Sequence, residues 1–124
     1  MEDTSATLNG ECAPWPDKER LASILREAGL EIYVGPYSVQ LRNNSGFSFS
    51  FEHYGGDICE PMIAADADDA NSMIRGGKLV SAALTSARIR HRFEVYDWTD
   101  RLVEYLHYDW PMPSNTSLER TRDV

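Results

Sequence analysis

The densest group of potential metal ligands is a run of carboxylates in the stretch "DADDANSMIRGG", which begins at Asp66. Asp66, Asp68 and Asp69 supply the oxygen atoms that Ca²⁺ prefers. A helix-loop-helix calcium site also needs Gly at its sixth position and Glu at its twelfth, where this chain has Asn71 and Gly77. The spacing excludes that class of site, and we interpret the acids as first-turn residues that stabilise a helix dipole.

The histidine and cysteine residues have no spacing typical of a zinc site. The chain contains His53, His91 and His107, together with Cys12 and Cys59. No Cys-x-x-Cys or His-x-x-x-His pattern is present, and no Gly-rich phosphate loop follows a predicted strand. We therefore predict no metal and no cofactor.

Two arrangements could support catalysis, and the sequence favours neither. Cys59 lies near His53 and Asp57, but three residues of one loop rarely point at each other as a nucleophile requires. Glu94 and Glu104 could act as a paired acid and base, yet the hairpin predicted below places them on opposite sheet faces. We predict no catalytic residue and no enzymatic activity.

The first half of the chain predicts one helix followed by three strands. Asp17 is a suitable N-cap, and Gly29 is placed to end the helix in the left-handed conformation. The helix stripe and the alternating strand positions are Leu21, Ile24, Leu25 and Ala28, then Ile32, Val34, Tyr37, Val39, Leu41, Phe47, Phe49 and Phe51. Serines between the phenylalanines indicate a sheet with one apolar and one hydrated face.

The second half predicts a helix and a hairpin. Apolar residues recur at three and four from Asp66 to Ala87, and the Gly76-Gly77 pair predicts a kink, a break or a close backbone contact. The segments over residues 87–97 and 101–110 alternate as strands, with a turn at Thr99-Asp100 that pairs Phe93 with Leu106.

These elements predict an α+β fold: an antiparallel sheet of about five strands with two helices on one face, in the order α-β-β-β-α-β-β. We expect a flexible N-terminal arm over residues 1–14, one domain over 15–110 and a flexible tail over 111–124. The opening residues contain no export signal, so the expected location is the cytoplasm.

Charge is the most informative property of the composition. The 124 residues hold 20 acids and 12 bases, for a formal charge of -8. This charge repels phosphate backbones and anionic lipid, so we predict no nucleic-acid and no membrane partner. Acids fill residues 52–69, bases fill 70–92, and acids dominate again over 93–109.

Such charge blocks have two interpretations. In one, the charges pair within the fold, as Arg90 and Asp109 would. In the other, acidic loops recognise a basic protein. The predicted partner-binding residues are Glu52, Asp57, Glu60, Asp66, Asp68, Asp69, Asp97, Trp98 and Asp100. The sequence leaves both interpretations open, and on the second we predict a non-enzymatic inhibitor or immunity-type protein that neutralises a basic partner.

Two alternatives stay open. The order of the elements over residues 17–110 resembles that of the small acidic chaperones of type III secretion, which implies a homodimer that binds another protein. The other alternative is a small-molecule-binding domain or enzyme that uses the sheet face. A deep polar pocket containing His91 or His107 beside a carboxylate would favour it.

Overall fold

The computed structural model describes residues 4–41, 46–52 and 61–110. Within these residues the chain forms an α+β fold, in which an antiparallel sheet of seven strands packs against two helices. The elements in chain order are β1 (Ala6–Cys12), α1 (Lys18–Glu27), β2 (Ile32–Val34), β3 (Ser38–Leu41), β4 (Phe47–Glu52), β5 (Met62–Ala67), α2 (Ala70–Ser86), β6 (His91–Tyr96) and β7 (Leu102–Tyr108).

The strand order is β2-β3-β4-β5-β1-β6-β7, so the first strand in sequence lies inside the sheet. β1 pairs antiparallel with β5 on one side and with β6 on the other. Leu8, which is fully buried, lies opposite Ala65 on β5 and Val95 on β6. β1 therefore joins the β2–β5 meander to the β6–β7 hairpin.

The prediction of a flexible arm over residues 1–14 is wrong for residues 6–12. Ala6, Leu8 and Cys12 are buried, as the alternation of a strand requires, but Gly10 interrupts the apolar pattern. A Cβ at Gly10 would lie 2.5 Å from Cδ1 of Phe93, so close packing against β6 requires glycine there. Gly10 makes this strand hard to predict from the sequence, and the packing of the sheet requires it.

β5 is the second strand that the sequence did not predict. Its inward residues are Ile63, Ala65 and Ala67, and alanines give a weak strand signal. Asp66 consequently lies in a strand and not in the first helical turn. α2 begins at Ala70, where the Asp69 carboxylate accepts a 2.7 Å hydrogen bond from the Ser72 N–H.

The observed order is β-α-β-β-β-β-α-β-β, with seven described strands where about five were expected. A strand precedes the first helix, and four strands separate the two helices. The resemblance to secretion chaperones depended on three strands between the helices, so this order removes the layout on which it was based. The α+β class and the antiparallel sheet are confirmed.

The remaining elements follow the sequence closely. Asp17 caps α1 through a 2.8 Å hydrogen bond from the Arg20 N–H, and Gly29 adopts φ +85° after the helix. In the β6–β7 hairpin Phe93 lies opposite Leu106 as predicted. A bulge after Val95 shifts the pairing near the turn, which places Tyr96 opposite Leu102.

The Gly76-Gly77 pair makes close contacts inside an unbroken helix. α2 runs continuously from Ala70 to Ser86. A Cβ at Gly76 would lie 2.7 Å from the Phe47 ring, and one at Gly77 would lie 2.9 Å from Leu8 Cδ1. Of the predicted alternatives, the close contact is therefore the correct one, because the glycines let α2 lie directly on β4 and β1.

The apolar face of the sheet lies against both helices. Phe47, Phe49 and Phe51 are buried on β4, and α1 and α2 contact each other above this layer. The opposite side of the sheet, which we call the open face, carries polar residues such as Asn9, Ser48 and Glu94. Neither helix of the described residues is long and apolar enough to cross a bilayer.

Candidate functional site

The sheet brings two acidic segments of the sequence to the same end of the molecule. Thr7 lies opposite Asp66 on β5 and opposite Tyr96 on β6. The end of β5 and the end of β6 therefore flank the start of β1, about 10 Å apart at the usual strand spacing. We call this region the acidic end and define it as Asp66, Asp68, Asp69, Asp97, Trp98 and Asp100.

The hairpin turn between β6 and β7 displays Trp98 on an ordered loop. The Asp97 carboxylate accepts hydrogen bonds from the Thr99 hydroxyl at 2.6 Å, the Thr99 N–H at 2.9 Å and the Arg101 N–H at 3.1 Å. These bonds, led by that of the Thr99 hydroxyl, lower the pKa of Asp97. The turn is thus fixed by its own side chain, and Trp98 remains 58% exposed.

The segment at the end of β5 is anchored in a similar way. The Thr4 hydroxyl donates to the Asp68 carbonyl at 2.8 Å, and the Asp68 N–H donates to the Gly46 carbonyl at 3.1 Å. Asp69 caps α2, and hydrogen bonds from Ser72, first from its backbone N–H, lower the pKa of that carboxylate. Asp66 accepts a 3.1 Å bond from the Ser48 hydroxyl.

The carboxylates at this end have two roles. Asp69 and Asp97 are used by the fold, as cap and turn, and feel the positive charges of Arg75 and Arg101. Asp66, Asp68 and Asp100 are exposed and take part in none of the salt bridges found among the described residues. These three carboxylates and Trp98 are therefore the groups that a partner could contact.

Of the other predicted partner-binding residues, the structure describes Glu52, which does not join this group. Glu52 pairs with Met62 at the start of β5, whereas Asp66 is near its end, so the two carboxylates are at opposite ends of one strand. Asp57 and Glu60 lie outside the described residues. Glu52 and the described acids at the end of β5 therefore do not share one surface.

Two arginines of the basic block are paired within the fold, as the first interpretation of the charge blocks proposed. Arg90 lies 3.6 Å from the Asp109 carboxylate and donates to its carbonyl. Arg92 Nε donates to Glu11 at 2.8 Å, and its Nη1 lies 2.9 Å from Glu94. Glu11 belongs to the strand that the sequence did not predict, so this open-face cluster was missed.

A second group of polar residues lies at the opposite end of the open face. The Trp110 ring centre is 5.6 Å from the Arg90 guanidinium and 6.0 Å from that of Arg92. Arg90, His107, Asp109 and Trp110 line a groove of about 440 Å³. His107 does lie beside a carboxylate here, but the groove is shallow and open to solvent, unlike the deep pocket that would favour a ligand-binding domain.

His91 and Cys12 are buried groups with structural roles. His91 Nδ1 donates to the Ile89 carbonyl at 2.8 Å, so its Nε2 is left to accept from the Ser81 hydroxyl at 2.8 Å. Burial lowers the pKa of His91, and burial raises the pKa of the Cys12 thiol to about 12. Neither group is poised to bind a metal or attack a substrate.

The remaining candidates for chemistry stay apart in the described part of the chain. Glu94 lies opposite Tyr105 and Glu104 lies opposite Val95, so the two carboxylates project from opposite faces, as predicted. His53 and Cys59 fall outside the described residues. Among those described, no three histidine, cysteine or acidic side chains converge as metal ligands would.

The fold and the acidic end are thus described from the structure alone. Comparisons of the chain with protein-family models, with curated proteins and with solved structures find no match.

Proposed function

We propose that this chain is a non-enzymatic protein-binding module whose acidic end contacts a basic surface of another protein. The observation that most supports this is the strand order. It brings the exposed carboxylates of Asp66, Asp68 and Asp100 to the same end of the sheet as the exposed Trp98, from segments far apart in sequence.

Trp98 is the anchor of the proposed contact. Tryptophan is enriched among the few interface residues that supply most of the binding free energy, and surrounding polar groups exclude water from such an anchor. The hydrogen bonds from Thr99 and Arg101 to Asp97 already order the turn. Little conformational entropy is then lost when Trp98 docks.

The carboxylates act mainly on the rate and selectivity of association. A negative field around Trp98 attracts a basic protein and repels acidic ones, and this steering weakens as salt screens the charges. We therefore expect the association rate constant to fall steeply with ionic strength, while the dissociation rate constant changes little.

The kind of partner proposed is a basic enzyme, such as a nuclease, that this chain neutralises. An acidic surface that occupies a site built for phosphate competes directly with the natural substrate of such an enzyme. The chain would then act as an inhibitor or immunity-type protein, in keeping with its formal charge of -8.

The first test is capture of the partner from the cells that produce this chain. The full chain is immobilised in parallel with two variants of the acidic end, Trp98→Ala and the pair Asp66→Asn with Asp100→Asn. Asparagine suits position 100 because it tolerates the positive φ of 64° there. We expect a basic protein that the full chain retains and that both variants lose.

The control is a matched loss of two charges away from the acidic end. Glu19 and Glu31 are exposed and lie in α1 and just before β2. The pair Glu19→Gln with Glu31→Gln should retain the partner as the unaltered chain does. Equal recovery by the acidic-end variants would contradict the proposal.

The inhibitor role has its own test once a partner is purified. If the partner is an enzyme, one equivalent of the full chain should suppress its activity, and Trp98→Ala should require at least about tenfold more protein. Binding without inhibition would retain the protein-binding module and reject the inhibitor role.

A further inference from the structure

A ridge of exposed side chains runs along the outer surface of α2. Arg75, Leu79, Ala82 and Ser86 follow each other at four, three and four residues, so they share one face of the helix. All four are exposed, and Leu79 is exposed by 46%. A leucine exposed between Arg75 and the small residues Ala82 and Ser86 offers a contact for another helix.

Beside this ridge lies an apolar groove between the two helices. It has a volume of about 380 Å³ and is bordered by Leu79, Ala82 and Ser86 of the ridge. Its other lining residues are Ile24, Glu27, Ala28, Ala83 and Ala87. The small side chains leave room for an apolar group from outside, and Glu27 is the charged residue in the lining.

We propose that two copies of this chain form a homodimer in which the α2 ridges cross antiparallel about a two-fold axis near residues 80 and 81. The two-fold axis places Leu79 of one copy against Ala82 of the other, at the edge of the groove. It also places Arg75 opposite Ser86, because both lie equally far from the axis.

Charge complementarity selects a second copy as the occupant. Glu27 and Ser86 line the same groove, so an arginine that reaches Ser86 of the other copy approaches a carboxylate. Two-fold symmetry makes this contact twice, from Arg75 to Glu27 in each direction. The same surface thus carries both the arginine and the glutamate of the contact. A parallel arrangement would instead bring the two Arg75 side chains together.

The proposed dimer contact uses other residues than the acidic end, although the charge of Arg75 acts on Asp69. None of the residues in the proposed contact belongs to that region. The dimer can therefore be correct when the protein-binding proposal fails, and the reverse also holds.

Sedimentation velocity over a range of protein concentrations tests the dimer. We expect the unaltered full chain to shift from monomer to dimer as concentration rises, and Leu79→Asp to remain monomeric. Met62→Asp is the control, because Met62 is a similarly exposed apolar residue, at 42%, on the open face. It should dimerise normally, and circular dichroism should show all three proteins folded.

A charge exchange makes the test specific to this geometry. Glu27→Arg and Arg75→Glu should each weaken the dimer by at least about tenfold, since each places like charges together twice. An equimolar mixture of the two variants restores both pairs and should recover dimerisation as a heterodimer. A monomeric unaltered chain, a dimeric Leu79→Asp variant, or a mixture that stays monomeric would each overturn the proposal.

Discussion

At the scale of single residues, the buried polar groups serve the fold. Both ring nitrogens of His91 are hydrogen-bonded, because Nδ1 donates to the Ile89 carbonyl and Nε2 accepts from the Ser81 hydroxyl. The neutral ring therefore links β6 to α2. The sequence showed a histidine among strand residues but not its partners, because Ser81 is ten positions away on the inward face of a helix. Partner identity depends on how α2 lies on the sheet.

Protonation of His91 should destabilise the fold in mild acid. Burial lowers its pKa below the ordinary 6.5, so the unfolded chain binds this proton first as pH falls. The contribution of neutral His91 to the free energy of unfolding is therefore fully present above about pH 6.5. It is lost progressively as the pH falls towards the lower pKa of the folded state. The loss can reach about 1.4 kcal/mol per pH unit in that window.

Urea unfolding between about pH 7.5 and pH 5.5 measures this effect. We expect His91→Gln to be less stable than the unaltered chain at the higher pH but to lack this component of the acid dependence. His107→Gln changes an exposed histidine and should keep it. An identical pH dependence in His91→Gln and the unaltered chain would contradict the assignment.

At the scale of elements, a segment was predicted correctly where its apolar residues recur with a clear period. The phenylalanines of β4 and the capped helix α1 have clear periods, and both were predicted correctly. β1 has glycine at an inward position because Phe93 of β6 packs against Gly10, and β5 has alanines at inward positions where α2 contacts the strand. Close packing removed the large apolar residues that mark a strand in sequence.

The two helix glycines should differ in their tolerance of alanine. At Gly76 the added Cβ meets Phe47 ring atoms at 2.7 to 2.9 Å, including Cγ, which a ring rotation cannot move away. At Gly77 it meets the terminal methyl of Leu8, which a rotamer change can move. We expect Gly76→Ala to cost about 1 to 3 kcal/mol and Gly77→Ala distinctly less.

Chemical denaturation of the two alanine variants gives this comparison directly. The double variant Gly76→Ala with Phe47→Leu tests the cause, since a smaller side chain at position 47 should recover part of the loss from Gly76→Ala. Equal free energies of unfolding for the two single variants would show that the Phe47 contact does not limit position 76.

The central position of β1 predicts that the fold depends on its first residues. A chain that starts at residue 15 lacks the strand that joins β5 to β6, and with it the fully buried Leu8. We expect this truncation to abolish cooperative unfolding and amide dispersion in NMR spectra, whereas a chain that starts at Thr4 should retain both. A cooperative fold without residues 1–14 would contradict the strand order.

At the scale of the whole molecule, the fold separates and regroups the charged residues of the sequence blocks. That regrouping could not be predicted from the sequence. The described acids of residues 52–69 are divided between the two ends of β5, and those near its end lie at the same end of the sheet as the β6–β7 turn. That placement requires β1 between β5 and β6, so missing one strand concealed the arrangement. Candidate residues could be named from charge, but their grouping depended on long-range pairing.

The central claim is that the acidic end is the surface that binds the basic partner. The most direct measurement is an NMR titration of the isotope-labelled full chain with the captured protein. We predict that the perturbed amides cluster at residues 66–69 and 97–101, with the Trp98 indole among the largest changes. Perturbations confined to residues 90–92 and 107–110, or to the groove between the helices, would contradict it.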